Sequence, residues 1–211
     1  MGRSSLTSGG KGLSFPFPSD SRCGARLART GAEVRQVFHS GTQTLIDRWV
    51  ALPRVGGLPA RADLEPMRFG SLVPQLFSAD RTARGATFRL AGAWIEALHG
   101  RRMAGVAMLD LWAPDSHALV HAALGQAVRE ARPVVMVAEA DPLHGLLEIV
   151  IAPLRTSDGR TDRLIGLYQP VLKQERLREP IGPLTARVSM GVGVSNRPAL
   201  ALAAVDGRRI A

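Results

Sequence analysis

Cysteine is almost missing from this chain. Cys23 stands alone, which excludes an intramolecular disulfide framework and a cysteine-based zinc ribbon. No run approaches the ~18 uninterrupted apolar residues of a membrane span, so no membrane role is expected. The opening MGRSSLTSGGKGLSFPFPSD has two basic residues but no apolar stretch, unlike a secretory signal. Leu6 occupies the place where a myristoylation signal needs Ser or Thr. These absences point to the cytoplasm. Catalytic signatures are missing too: there is no GxSxG and no Walker A motif, so no enzyme activity is expected. GVGVSN at 191–196 is half a dinucleotide fingerprint with no strand–turn–helix around it.

What is present fits a globular domain with tails. The 211 residues are 45% apolar and 21% charged, near the globular average. The net charge of +9 raises a nucleic-acid reading, but its distribution argues against a dedicated basic face. Residues 1–40 hold six Lys/Arg against two acids, and 173–211 hold seven against three. The middle, 41–172, is nearly balanced at fourteen against thirteen. Nucleic acid is therefore not an expected partner, and would be approached only through salt-sensitive, non-specific contacts of the basic tails.

The order of elements follows from periodicity. Residues 1–39, rich in Ser, Gly and Pro, read as a flexible basic leader. Thr30 with Glu33, and Thr44 with Asp47, have capping-box spacing, and Val34, Val37, Phe38, Leu45, Ile46, Trp49 and Leu52 share one helical face. Gly41 is a candidate break, leaving 42–52 as the better-defined helix, ended by Pro53. A helical turn over 65–72 precedes a hairpin of strands 76–80 and 86–91, with Phe88 and Leu90 expected on one face. A short helix at 94–98 and a longer one from Pro114 to Arg132 come next, then strands at 134–140, 146–154 and 163–172. Those last strands are apolar on both faces, with Glu148 the one charge inside LLEIVIAPL. Both faces of their sheet therefore need covers. The central helices supply one. Leu45, Ile46, Trp49 and Leu52 supply the other, within the chain or across a dimer. The class is α+β. Residues 173–211 read as a basic tail, mostly irregular, with one weak strand at 199–205.

Several segments in this order carry a resemblance: LIDRWVAL, LPARADLEP, LVPQLFSAD, FRLAG, MLDLWAPDS, ARPVV and IAPLRTSDGRTDRLIGLYQP. Together they resemble a PAS domain, of the alphaproteobacterial type that stands nearly alone in its chain. The likeness spans about residues 40–172 and rests on the concatenation rather than on one motif. His99-Gly100 stands where family members often carry Phe-Gly. The resemblance implies a five-stranded antiparallel sheet, helices on one face, a pocket between them, and a sensory or dimerisation role. It implies no catalysis.

The expected pocket residues are Phe88, Leu90, Trp94, Met108, Leu111, Trp112, His121, Ile149, Ile151 and Leu167, a lining suited to an apolar small-molecule ligand or to plain core packing. A flavin is not expected: the NCRFLQ-like motif of light-sensing relatives is missing, and Gln169 is the one residue resembling a flavin-reading group. The alternative is haem, held by His121 or His117, which stand at i and i+4 on the long helix. The plain reading makes His117 a first-turn polar residue and His121 a boundary histidine. No metal site is expected, since no third ligand accompanies that pair. With no transmitter motif, the chain is expected to act through a protein signalling partner, with a homodimer also open.

Overall fold

The computed structural model describes residues 38–141, 145–171 and 180–193, with two-residue strands at 204–205 and 208–209. Residues 1–37 of the leader, including Cys23, the Thr30–Glu33 spacing, Val34 and Val37, lie outside the described residues. So does most of the tail.

Helix α1 spans Ser40–Ala51 and buries Leu45, Ile46 and Trp49. Its cap is His39, whose Nδ1 accepts the Gly41 N–H at 3.2 Å. Thr44 is no cap; its hydroxyl donates to Ser40 O within the first turn. Gly41 does not break the helix. It lies in the first turn, where a Cβ would stand 2.0 Å from Gln169 Oε1 on the sheet below. Leu52 is extended before Pro53, as a residue preceding proline prefers.

A tight two-strand turn follows, β1 Arg54–Val55 against β2 Leu58–Pro59, and then 3₁₀ turns over Arg61–Asp63 and Pro66–Gln75. The main sheet begins with β3 Leu76–Thr82 and β4 Gly85–Ala91. Helix α2 is Ala93–His99; α3 is His117–Glu130, entered through a 3₁₀ turn at Pro114–Ser116. Strands β5 Val134–Asp141, β6 Gly145–Leu154 and β7 Arg163–Pro170 match the three apolar runs of the sequence.

The sheet has six strands rather than five, in the order β4-β3-β7-β6-β5-β8, all antiparallel. Its sixth strand, β8, is Thr185–Gly191, within the segment expected to be mostly irregular. Polar alternation hid it, yet it pairs with β5 from Val134 to Glu139, and Ile181 and Leu184 before it are buried. The folded unit therefore passes residue 172. Of the strand expected at 199–205, residues 199–203 lie outside the described residues, and Ala204–Val205 form β9, paired with β10 Arg208–Arg209.

Two cores lie against the two sheet faces. On the helix side, α2, α3 and the 108–112 segment cover Phe77, Phe88, Met136, Ile149, Ile151 and Tyr168. On the outer side, α1, Leu58, Leu64 and Phe69 cover Val135, Val150, Ala152, Ile165 and Leu167. Trp49 Nε1 donates to Pro153 O at 2.8 Å, fixing α1 over β6. Glu148, the one charge in that apolar strand, accepts the His39 N–H at 2.9 Å and anchors the helix entrance. The double apolar character of β6 and β7 thus has its cause in two covers, and α1 is the second.

Candidate functional site: the helix-side interior

The pocket that the resemblance implies would lie between the sheet and α2, α3 and their connection. Here aromatic side chains occupy it. Phe77 packs against Phe88 with ring centroids 5.2 Å apart, and against Tyr168 edge-on at 5.7 Å. Tyr168 in turn meets the His99 ring edge-on at 5.8 Å. Gly166 makes this arrangement sterically feasible: a Cβ there would stand 2.1 Å from Phe77 Cζ. Met103, Met108 and Met136, each at most 1% exposed, fill the remaining gaps as flexible thioethers do.

The site's two titratable residues are both shifted against charge. Burial, with a smaller contribution from Arg101, lowers His99 to about 4, so its imidazole is neutral at pH 7. Its Nε2 is buried with no hydrogen-bond partner among the described residues. Burial also pushes the Tyr168 phenol upward, keeping it protonated. Trp112 Nε1 is likewise buried without a partner among the described residues. The interior is thus neutral and apolar, with a few hydrogen-bonding atoms left over.

Of the residues expected to line the pocket, Phe88, Met108, Leu111, Trp112, Ile149 and Ile151 come together here, with Trp94 partly buried at the rim. Three do not. Leu90 is 68% exposed, because a β-bulge sets Ser78 opposite Leu90 but Ala79 opposite Phe88, leaving Arg89 unpaired and reversing the alternation beyond it. Leu167 is buried on the outer face, under α1. His121 faces solvent, one residue past the buried Val120. His117 is tied locally, its Nε2 lying 3.0 Å from Trp112 O. Neither of these two histidines is therefore offered as an axial ligand to the helix-side interior. Gln169 is buried on the α1 side, beside Glu148, so it cannot read a ring on the helix side. Of the residues expected to meet a cofactor, His121 and Gln169 thus lie away from the helix-side interior.

Sequence reasoning missed Phe77, Met103, Met136, His99 and Tyr168 as pocket residues. For Tyr168 a signal existed: with strand alternation, Tyr168 and Leu167 must face opposite sides. Leu45, Ile46 and Trp49 are buried as expected on the outer face, and Leu52 packs there partly exposed.

A family model described as a PAS domain matches residues 37–169. The chain belongs to the PAS domain family. Among curated proteins nothing matches it. Solved structures similar to the chain include a light-oxygen-voltage domain studied with a flavin analogue, at 14% identity and TM-score 0.40, over 51% of this chain and 82% of that one. Another is a sensory box sensor histidine kinase from Vibrio cholerae, at 15% identity and TM-score 0.38, over 47% and 82%. A light-oxygen-voltage protein from Rhodobacter sphaeroides gives 15% identity and TM-score 0.38, over 48% and 61%. The family assignment rests on the residue match. In this PAS domain the aromatic stack over Gly166 lies in the helix-side core.

Proposed function

We propose that this PAS domain is a sensory or regulatory binding module that acts through protein–protein contacts and is not an enzyme. The observation that supports this reading is the Phe77–Phe88–Tyr168 stack, which fills the interior with the chain's own side chains. A filled, neutral interior leaves room for at most a small apolar ligand, so the surface must carry the output. Val188 (41% exposed) and Met190 (38%) project from β8 on the outer face. They offer apolar contact area to a signalling partner or to a second copy. Among the described residues no helix is long and apolar enough to cross a membrane, and no cluster of three potential metal ligands occurs. The cytoplasm is the compartment proposed for this module.

Spectroscopy on the purified full chain tests this. The protein should be colourless, and added haem should give no Soret band that depends on a histidine. Light scattering then reads its oligomeric state alone and with chemically cross-linked partners recovered from its own host. A chromophore retained through purification would replace the reading with that of a cofactor-based sensor.

A further inference from the structure

At the end of the sheet where β6 turns into β7, three arginines converge on one surface pocket. The cavity is about 560 Å³ and is lined by Ala60, Arg61, Ala62, Arg155, Thr156, Ser157 and Arg163. No carboxylate lines it. This composition is unusual for a middle segment whose charges nearly cancel.

The three cations are held on one backbone frame. Arg61 N–H donates to Arg155 O at 2.8 Å, and Arg155 N–H donates to Pro59 O at 2.9 Å. Arg163 lies on β7, directly opposite Leu154 of β6. The guanidinium groups therefore start from fixed points, and little backbone entropy is lost when they close on a ligand. Their existing partners leave capacity free. Arg61 donates one N–H to Leu64 O at 3.2 Å. Arg163 Nε lies 3.0 Å from Asp80 Oδ1, but Asp80 also accepts from Arg89. Arg155 makes no ion pair among the described residues, and its Nε is buried without a partner there. A half-buried guanidinium in that state is a desolvated charge awaiting an anion.

We infer that this pocket binds a small phosphate ester, with Arg155 at its centre and Arg61 and Arg163 flanking it. Guanidinium donors match phosphate oxygens in paired geometry, and the Thr156–Ser157 turn adds a hydroxyl and backbone groups. Ala60 and Ala62 give the ester's organic part an apolar wall. A long polyanion fits less well. Asp80, Asp158 and Asp162 border the arginines, and the Thr156 hydroxyl already contacts both Asp158 and Asp162. Those carboxylates would repel a strand running beyond the pocket. The site is separate from the interior described above, so it does not depend on what that interior holds.

Calorimetry of the full chain with adenosine monophosphate, inorganic phosphate and a 12-nucleotide single-stranded RNA tests the inference. Adenosine monophosphate should bind at one site, more tightly than inorganic phosphate. R155Q should weaken it by about tenfold or more, the loss of a charge-assisted contact. R68Q, on an exposed ion pair with Glu65 that does not line the pocket, should leave it unchanged. If R155Q fails to give a cooperative melt, R61Q serves in its place. Absence of binding at millimolar adenosine monophosphate, equal binding by R155Q or R61Q, or tighter binding of the RNA than of the nucleotide overturns the proposal.

Discussion

The Phe77 ring lies over the backbone of Gly166, so close that a Cβ at 166 would stand 2.1 Å from Cζ and 2.5 Å from Val150 O. This one approach lets an aromatic side chain from β3 occupy the middle of the sheet floor. Gly166→Ala should destabilise the protein by about 1–3 kcal/mol, as overpacking of a tight core does. Phe77→Leu should recover part of that loss, and the Val150 carbonyl should prevent full recovery. Urea denaturation of both single variants and the double variant measures the coupling; additive effects would remove Phe77 from this role.

Trp49 is 2% exposed and donates its indole N–H to Pro153 O. Trp49→Ala should cost about 3–5 kcal/mol, through the cavity and the orphaned carbonyl together. Trp49→Phe should cost less, because the ring still covers the outer face. A chemical denaturation midpoint unmoved by Trp49→Ala would mean that α1 is not the outer cover.

His99 makes stability depend on acid. Its folded-state value of about 4 lies below the ordinary 6.5, so between those values the unfolded chain binds more protons. Stability is complete above pH 6.5, falls as pH drops, and loses this contribution once pH passes 4. The loss is on the order of 3 kcal/mol. His99→Phe removes the titration while keeping an aromatic ring against Tyr168. Thermal melts at a series of pH values should show the acid limb flattened between 6.5 and 4 in the variant; an unchanged limb would assign it to other groups.

The β8 strand sets the limit of the domain. A fragment 38–193 should unfold cooperatively. One ending at 172 loses the ladder on β5 together with Leu184, which is fully buried, and should be strongly destabilised or aggregate through the bared β5 edge. Calorimetry of the two fragments decides this, and equal transitions would make β8 dispensable.

The bulge in the first hairpin also has a direct readout. Leu90→Lys should change stability by less than about 0.5 kcal/mol, since the side chain faces solvent. Phe88→Ala should cost about 3–5 kcal/mol. Comparable costs from the two would restore the unbroken alternation that the sequence suggests.

Local pattern alone determined the α+β order of this PAS domain. The three-to-four spacing of Leu45, Ile46 and Trp49 defined α1. Unbroken apolar runs defined β5 to β7, and their two-sided character by itself demanded a second cover. Those signals are local because helix and strand periods are written in neighbouring residues. What only the tertiary structure decided depends on pairings between distant segments. The bulge opposite Ser78–Ala79 turned Leu90 outward, and helix rotation put His121 in water. The approach of Gly41 to Gln169 set the first turn of α1 on the sheet, and the open edge of β5 drew the polar segment 185–191 into the sheet. The arginine pocket is of the same kind. Arg61 is far in the chain from Arg155 and Arg163, and backbone hydrogen bonds between their strands and turns bring the three charges together.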